Sequence, residues 1–550
     1  MTPYRPLAEL DTHEVTNQPP PLVDFNAFET DRALKDAVLR AGGGVHHDRL
    51  AAFGAQVGNL ETLEWGRLAN EYPPKLKSFD RYGHRVDEVE FHPAYHELMR
   101  LGLEGGVSAG AWTSGKAGHT LHAALLYLMT QADAGTVCPM SMTYAVVPAL
   151  RAEPDVAAEW EPRVTAAKYD PRFVPAEDKI GCTMGMAMTE KQGGSDVRSN
   201  TTRAAPLGGG EYELIGHKWF CSAPMSDAFL TLAYAEEGLT CFLVPRWRSD
   251  SVRNGIRIMR LKDKLGDRSN ASSEIEYHGA WARRVGPAGR GIKTIIDMVQ
   301  GTRLDCIAGS ASGMRAALTQ ALWHADHRTA FQKRLVDQPA MSAVLADLCL
   351  ETEAATALCF RLAQAFDAAA VDPAEAAFAR LATPIAKYWV CKRQPGLVYE
   401  ALECLGGAGY VEEGPMPRLF RQSPLNAIWE GSGNVIALDV LRAIAREPDA
   451  LEALRAELAA ARGANDHLDA HLESWERWFV KGALSEATAR AFVEDSALAL
   501  QAAALLNGPQ EVFDGFCSVR LPAQGRSLAY GAFSAGIATD ALIGRAMPSF

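Results

Sequence analysis

The hydrophobic pattern of this sequence changes near residue 181 and again near residue 285. Between these positions, apolar and polar residues alternate in five short runs separated by turn residues, which is typical of antiparallel β-strands. On either side, apolar residues recur every three or four positions, which is typical of amphipathic helices. A β segment enclosed by helical segments predicts an α+β fold with several domains.

Four units follow from these changes. We expect a leader and N-terminal helical domain at 1–180, a central antiparallel β domain at 181–285, a C-terminal helical bundle at 286–445 and an appended helical domain at 446–550. A chain of 550 residues is long enough to bury several cores of this kind.

The composition excludes several classes of protein. With 48% hydrophobic and 22% charged residues, the chain has the balance of a folded soluble protein. Its net charge of −12 repels nucleic acid unless basic residues cluster locally. No apolar segment reaches the roughly 18 residues of a membrane span, and the first residues lack the apolar region of a signal peptide. We therefore expect a cytoplasmic protein that does not contact a membrane.

Cysteine and histidine spacing argues against a metal site. The ten cysteines include no Cys-x-x-Cys pair, which favours reduced thiols over disulfides or a zinc site. His92 and His96 lie four residues apart, but no third ligand stands near them. Residues 110–117 nearly match a phosphate-binding loop, yet Ala117 lacks the hydroxyl group that holds Mg²⁺. The fingerprint of a Rossmann dinucleotide site is also absent from the sequence.

Three motifs carry chemistry, and the first opens the β segment. Residues 186–196 read MAMTEKQGGSD. The two glycines let the backbone approach a ligand closely, while Thr189 and Ser195 offer hydroxyl groups to an anionic or heteroaromatic ligand. An ordinary glycine turn between strands explains the same residues equally well.

The second motif, residues 216–222, reads GHKWFCS and places an aromatic pair beside a hydroxyl group. A flat ring cofactor needs an aromatic wall and a hydrogen bond to a ring nitrogen, which Trp219, Phe220 and Ser222 would supply. The alternative is that the two aromatic side chains pack into the core.

The third motif joins residues 402–410, LECLGGAGY, to residues 428–434, IWEGSGN, just before a predicted helix. Glu430 lies between an aromatic residue and small residues, where burial would raise its pKa while it still serves as a base. As a single glutamate it is otherwise explained as an exposed loop residue.

In this order and at these separations, the three motifs closely resemble the acyl-CoA dehydrogenase family of flavoproteins. The chain is most similar to the AidB-type branch, the adaptive-response proteins also described as isovaleryl-CoA dehydrogenase-like. Residues 261–266, 17–19 and 91–93 also resemble that branch. The general family pattern covers residues 180–445, and the branch features extend the resemblance to nearly the whole chain.

The resemblance implies a non-covalent FAD. It assigns this subunit's flavin contacts to Met186, Met188, Thr189, Ser195, Phe220, Ser222, Ser432 and Asn434, with Ser222 near flavin N5. It also implies that a partner subunit reaches the ADP portion of the flavin through Arg328, Phe331, Gln338, Glu403 and Gly407. A homo-oligomer follows, usually a tetramer in this family. Two departures weaken the partner contacts: Glu403 stands where most relatives have Gln, and Gln332 where Gly is usual.

The resemblance also implies a reaction. Glu430 matches the base that removes the α-proton of an acyl thioester. In some isovaleryl-type relatives the base stands at the position of Thr302, which cannot accept a proton here. Asp305 is the next candidate, and Arg303 would support the site electrostatically. The chain is thus expected to be an FAD-dependent acyl-CoA dehydrogenase that acts on a short or branched acyl-CoA.

The same resemblance implies an alternative function, a DNA-binding flavoprotein of the alkylation response with weak or vestigial dehydrogenase activity. Residues 441–550 contain ten Lys and Arg against fourteen Asp and Glu, so that region is not basic overall. Double-stranded DNA would need a local patch. Arg442 and Arg520, joined by Arg446 and Arg526, would form it if folding brought them together.

Overall fold

The N-terminal part of the chain is helical, as predicted, with one additional hairpin. The computed structural model describes residues 12–522, 529–533 and 536–548. The first helices and strands are α1 (Arg32–Arg40), α2 (His47–Val57), α3 (Leu60–Glu71), β1 (Lys75–Phe79), β2 (Arg85–Glu90), α4 (Pro93–Gly105), α5 (Gly110–Thr113), α6 (Gly118–Ala132), α7 (Ala134–Leu150) and α8 (Pro154–Val164). The β1–β2 hairpin was not expected from the sequence. Its strands are short and half-exposed, and it rests on the β domain, where Arg85 Nη2 donates to the Ile258 carbonyl at 2.7 Å.

The central domain is a seven-stranded sheet that closes on itself. Its strands are β3 (Met184–Ala187), β4 (Arg203–Gly208), β5 (Glu211–Ser222), β6 (Ala228–Ala235), β7 (Gly238–Pro245), β8 (Ile256–Leu261) and β9 (Ser272–Val285). The strand order is β3-β6-β4-β5-β9-β7, β7 also pairs with β6, and β8 pairs with β9. These strands lie between residues 184 and 285.

The prediction of an antiparallel sheet is only partly right. Strands β3 and β4 pair with β6 in parallel, whereas the other pairings are antiparallel. The alternating pattern predicts strands but not their direction. In the chain, β4 and β5 lie between β3 and β6, so no hairpin connects β3 to β6. A connection of this length allows the two strands to pair in parallel.

The helical bundle follows. It comprises α9 (Gly291–His327), β10 (Thr329–Ala330), β11 (Lys333–Arg334), α10 (Pro339–Ala368), α11 (Pro373–Cys404), α12 (Gly407–Tyr410), α13 (Met416–Gln422) and α14 (Gly433–Arg446). Helix α9 lies at the centre and packs against α6, α7, α10 and α11. This position explains why its middle third is almost entirely buried.

The last helices are α15 (Pro448–Ala460), α16 (Asp466–Glu476), α17 (Ala489–Leu505), α18 (Gln510–Arg520) and α19 (Thr539–Ala546). They pack on α10 and α11 and share one hydrophobic core with the bundle and the N-terminal helices. The appended helices are thus part of the same folded body as the bundle.

Three further features concern chemistry elsewhere in the chain. All ten cysteines are free and buried. Within the described ranges, no helix is both long and apolar enough to cross a membrane. The same ranges contain no group of three His, Cys, Asp or Glu side chains that could hold a metal ion.

Candidate active site

The predicted base, Glu430, stands in the turn between α13 and α14. Its backbone has a φ of 56°, and Gly431 follows with a φ of 106°. A left-handed conformation is costly for a residue with a side chain, so the surrounding contacts must hold it. The turn aims the carboxylate at α9, where Glu430 Oε2 accepts a hydrogen bond from Thr302 Oγ1 at 2.7 Å.

Two cations fix the backbone of this turn. Lys387 Nζ donates to the carbonyl oxygens of Trp429 at 2.7 Å and Gly431 at 2.6 Å. Arg303 Nε donates to the Glu430 carbonyl at 3.2 Å, and Arg303 Nη1 pairs with Asp439 at 2.9 Å. Arg303, predicted to support the site electrostatically, thus also contacts the backbone of the predicted base.

Lys387 was missed by the sequence analysis. It stands in the apolar run PIAKYWV of α11 and its side chain is almost completely buried. A single lysine within an apolar helix segment must have hydrogen-bond acceptors inside the protein. The isolated Lys in this run was therefore the sequence feature that could have indicated a functional contact.

The environment of Glu430 is suited to a base. Burial raises the pKa of its carboxyl group, with a smaller rise from Asp305, while the hydrogen bond from Thr302 and the charges of Lys387 and Arg303 act against this rise. The net effect is a pKa above the usual range of glutamate. A carboxylate with a raised pKa accepts a proton more readily than a solvated one.

Asp305, the alternative base, has a different partner. Its Oδ1 lies 2.7 Å from His122 Nε2, and His122 Nδ1 lies 2.6 Å from the Val107 carbonyl. His122 thus links the Asp305 carboxylate on α9 to the Val107 carbonyl. Asp305 is thus paired with His122, whereas Glu430 lies in the turn before α14 and has a hydrogen bond to only one of its carboxylate oxygens among the described residues.

The β domain places Ser222 at the end of β5, where its hydroxyl group lies 3.1 Å from that of Ser272. The next residue, Ala223, packs in the same apolar cluster as Cys138, and Trp429, the neighbour of Glu430, packs against that cluster. Burial raises the pKa of the Cys138 thiol to about 12, and the charges of Asp267 and Glu430 add to this rise. The chain neighbours of Ser222 and Glu430 thus meet in one cluster.

The aromatic pair of the second motif is not buried in the core. Phe220 is 49% exposed and Trp219 is half-buried. The ammonium group of Lys262 lies 3.2 Å from the centre of the Trp219 ring and 4.8 Å from that of Phe220. The exposed face of Phe220 is an aromatic wall of the kind that a flat ring would cover.

The first motif forms the neighbouring loop. Met186 and Met188 pack against the apolar cluster that also contacts Trp429. The Thr189 carbonyl accepts a hydrogen bond from the Trp219 amide at 2.8 Å, which joins the first motif to the second. A Cβ atom on Gly194 would lie 2.4 Å from Thr189 Oγ1. Any larger residue at this position would therefore displace the Thr189 hydroxyl group. Ser195 is exposed on the same loop.

Glu190, inside the same motif, was also missed. Its carboxylate is completely buried and accepts hydrogen bonds from Lys218 Nζ at 2.8 Å, Thr202 Oγ1 at 2.6 Å and the Thr201 amide at 2.7 Å. This ion pair fastens the glycine loop to β5. In the sequence, Glu190 is indistinguishable from a solvated charge next to Lys191.

Comparison with known proteins shows the family to which the chain belongs. Its residues 17–171 match the adaptive response protein AidB N-terminal domain, 185–280 the acyl-CoA dehydrogenase middle domain and 289–445 the acyl-CoA dehydrogenase C-terminal domain. It is 46% identical over 461 residues to the putative acyl-CoA dehydrogenase AidB of Escherichia coli, which covers 83% of this chain and 85% of that protein. The chain belongs to the acyl-CoA dehydrogenase family, in its AidB-like branch.

Further relatives agree with this assignment. The chain is 31% identical to acyl-CoA dehydrogenase family member 11 of Caenorhabditis elegans over 76% of this chain and 70% of that protein. The crystal structure of that protein in complex with C11-CoA has a TM-score of 0.82 and 27% identity, and covers 92% of this chain and 93% of the other. The family membership confirms the predicted fold class and the predicted cofactor, FAD.

The described residues fit an FAD. The loop at Gly193 and Gly194 leaves room for close approach, the exposed Phe220 ring offers a wall, and the hydroxyl groups of Thr189 and Ser222 offer hydrogen bonds. Ser432 and Asn434, at the first turn of α14, are both exposed next to the base.

The residues predicted to act across subunits lie far from this site. Arg328 ends α9, 26 positions after Thr302, which corresponds to about 39 Å along a helix. Phe331 and Gln332, with φ of 49° and 66°, form the turn between β10 and β11, and Phe331 is 93% exposed. Gln332 thus adopts the left-handed conformation for which Gly is usual at this position.

The remaining partner contacts are at the surface or beside the same hairpin. Gln338 Nε2 donates to the Ala330 carbonyl at 2.9 Å, and Arg328 Nη1 donates to the Asn17 carbonyl at 2.9 Å. Glu403 and Gly407, at the end of α11, are exposed. Because of the distance along α9, the hairpin residues of one chain cannot line the pocket of Glu430 in that same chain.

The arginines of the proposed patch have different surroundings. Arg442 and Arg446 are exposed on α14, whereas Arg520 is partly buried and pairs with Asp347 and Glu351. These two carboxylates offset its charge, which leaves less positive charge for a phosphate contact. Arg526 lies outside the described residues.

Proposed function

We propose that this chain catalyses the α,β-dehydrogenation of an acyl-CoA thioester with Glu430 as the base. The observation that carries this proposal is the placement of the Glu430 carboxylate, 2.7 Å from Thr302, in an environment that raises its pKa. A base near the operating pH is needed because the α-carbon is a weak acid.

Each part of the turn has a role in this reaction. Oε2 of Glu430 remains on Thr302, while Oε1 has no hydrogen-bond partner among the described residues and would receive the α-proton. The backbone amide of Glu430 likewise has no acceptor within those ranges and would polarise the thioester carbonyl. Lys387 and Arg303 keep the turn in its left-handed conformation, which orients both groups.

FAD, when bound, accepts the hydride that leaves the β-carbon. Phe220 would hold its ring from one side, and the Ser222 hydroxyl group would bind the ring edge. The packing of Ala223 and Trp429, the chain neighbours of Ser222 and Glu430, in one apolar cluster supports a single site in which the base and the ring would meet across the substrate.

We further propose that the substrate carries a short or branched acyl chain. Two indole side chains, Trp112 and Trp429, pack against the cluster beside Met186 and Met188, and side chains of that size limit the space near the base. The C11-CoA complex of the nematode relative provides the competing expectation, a longer chain.

The test is oxidation of a panel of acyl-CoAs by the FAD-loaded protein with an artificial electron acceptor. We expect kcat/KM to be highest for isovaleryl-CoA or butyryl-CoA and to fall for octanoyl-CoA and undecanoyl-CoA. The opposite order would refute the short-chain assignment, and no oxidation of any member would refute the dehydrogenase. The alternative function, DNA binding, has weaker support because Arg520 is neutralised by carboxylates.

A further inference from the structure

A cluster of uncompensated positive charge lies beside the start of α14. Two cations flank the ring of Tyr388 on α11: the Lys392 ammonium group is 5.1 Å from the ring centre and the Arg490 guanidinium carbon is 5.9 Å from it. Arg490 Nε lies 3.1 Å from the Tyr388 hydroxyl group, and Arg490 Nη1 donates to Asn434 Oδ1 at 3.1 Å. We call these four residues the Tyr388 cluster.

Within the described ranges, neither Lys392 nor Arg490 has a carboxylate oxygen within 4 Å. Two cations of the appended helices differ in this respect, because Arg455 pairs with Glu476 at 3.2 Å and Arg545 with Glu353 at 2.8 Å. Lys392 and Arg490 are therefore available to an external anion.

Repulsion inside the cluster supports this interpretation. Partial burial lowers the pKa of Lys392, and the charges of Arg490 and Lys387 lower it further. Lys387 donates hydrogen bonds to two backbone carbonyls, which are uncharged and so leave its positive charge in place. A bound anion would relieve the repulsion between these three positive charges.

The backbone beside the cluster leaves room for a ligand. A Cβ atom on Gly433 would lie 3.3 Å from Lys392 Nζ and 3.4 Å from the Tyr388 ring, so the glycine lets the helix start approach the cations. Asn434 uses its carbonyl oxygen for Arg490, which leaves its amide group to donate outward. The cluster therefore combines two positive charges with an amide donor beside the start of α14.

We propose that Lys392 and Arg490 bind a phosphate group of the nucleotide that occupies the active site. The cluster adjoins Gly433, three residues after the base, and so the proposal rests on the function assigned to Glu430 and on the FAD site beside it. Its new element is the contribution of the appended helices: Arg490 on α17 reaches back and orients Asn434 at the cofactor site. FAD and CoA both carry a diphosphate, and the experiment distinguishes these two sources.

The test measures binding and does not depend on turnover. FAD-free protein is titrated with FAD and with riboflavin, which has no phosphate, and the FAD-loaded protein is titrated with CoA and with pantetheine. The variants are Lys392→Gln, which breaks no hydrogen bond of a described residue, and Lys392→Gln combined with Arg490→Ala. Arg462→Ala, an exposed arginine of the same appended helices, is the matched control.

We expect the double variant to bind FAD at least about tenfold more weakly, because one charge-assisted hydrogen bond is worth about this factor or more. Riboflavin binding should stay within about twofold, and the control should match the wild type. If CoA but not FAD is weakened, with pantetheine unchanged, the phosphate belongs to the substrate and the cluster is still a phosphate site. Equal losses for FAD and riboflavin, or no loss for FAD and CoA, would overturn the proposal.

Discussion

At the scale of single residues, the base depends on contacts that no motif contains. Glu430 adopts a positive φ, and the buried ammonium group of Lys387 binds the carbonyl oxygens on both sides of it. Thr302 binds one carboxylate oxygen and leaves the other free to react. The proposed base is therefore positioned by Thr302 and Arg303 from α9 and by Lys387 from α11.

Substitution of the base tests its role directly. Glu430→Gln keeps the shape of the side chain but removes the group that accepts the α-proton, so acyl-CoA oxidation should fall by at least about a thousandfold while FAD stays bound. Steady-state rates and the flavin absorbance report these two quantities. Glu413→Gln, an exposed glutamate before the same turn, is the control. Residual activity near the wild-type value would move the base to Asp305.

The hydrogen bond from Thr302 leads to a prediction about pH. This bond favours the ionised form of Glu430 and opposes the rise in pKa that burial causes. Thr302→Val removes the hydroxyl group at nearly constant volume, so the pKa of Glu430 should rise further. The acid limb of the kcat/KM profile, where the base becomes protonated, should move to higher pH. Thr302→Ser should leave the profile in place, and an unchanged profile in the valine variant would contradict the assignment.

Several candidate site residues could be named from the sequence because they sit in short contiguous motifs. Glu430, Thr189, Phe220 and Ser222 belong to this group, and the fold brings neighbours of these residues into contact through the Trp219–Thr189 hydrogen bond and one apolar cluster. Lys387 and the His122–Asp305 pair come from distant positions whose approach depends on how α6, α9 and α11 pack. The ion pairs of Arg520 could not be predicted, because its carboxylate partners lie 169 or more residues away in sequence.

At the scale of secondary structure elements, the buried Glu190–Lys218 pair joins the glycine loop to β5. Burial alone would raise the pKa of Glu190, but the charge and hydrogen bond of Lys218, with the hydrogen bonds from Thr202 and Thr201, lower it to about 2. The ionised pair holds the loop that carries Thr189 against the strand that carries Phe220. The loop geometry at the flavin site thus depends on an ion pair inside the β domain.

Removal of this charge should loosen the domain. In Glu190→Gln, the buried Lys218 loses its partner, and we expect the free energy of unfolding to fall by about 3–5 kcal/mol. The thermal unfolding midpoint and FAD affinity measure the effect. Because the pKa is lowered on folding, this contribution is present above about pH 4.5 and lost as the pH falls toward about 2. Glu211→Gln, at the exposed start of β5, should change neither quantity; equal effects in both variants would contradict this role.

Element types were easier to predict than their pairing. Five alternating runs gave β5 to β9, but β3 is only four residues long and pairs in parallel with β6. The β1–β2 hairpin has half-exposed strands whose stability comes from contact with β8, a contact that local patterns do not encode. Tertiary packing decides such short strands.

At the scale of the whole molecule, a long stretch of α9 separates the β10–β11 hairpin from the candidate active site of the same chain. Phe331 is exposed at one end, whereas Thr302 and the base lie about 39 Å away. We propose that the β10–β11 hairpin completes the cofactor site of a second copy, in an assembly of four chains.

Phe331→Asp tests this proposal. A charge at the centre of a contact should lower the solution mass at micromolar concentration toward that of one 59.5 kDa chain and should weaken FAD binding at the same time. Light scattering after gel filtration measures the mass. Val371→Asp, which alters an equally exposed apolar residue between α10 and α11, should leave mass and FAD affinity unchanged. A wild type that is itself monomeric and retains FAD would refute the proposal.

The burial of all ten thiols has a practical consequence for such experiments. A maleimide dye would find no accessible native sulfur on the folded protein, since burial also raises the pKa values of these groups. A cysteine introduced at an exposed position such as Ser432 or Thr329 would then be the one thiol that the dye labels. The ten native cysteines would not have to be replaced first. Energy transfer between two such labels would measure how far the hairpin of one chain lies from the catalytic turn of the next.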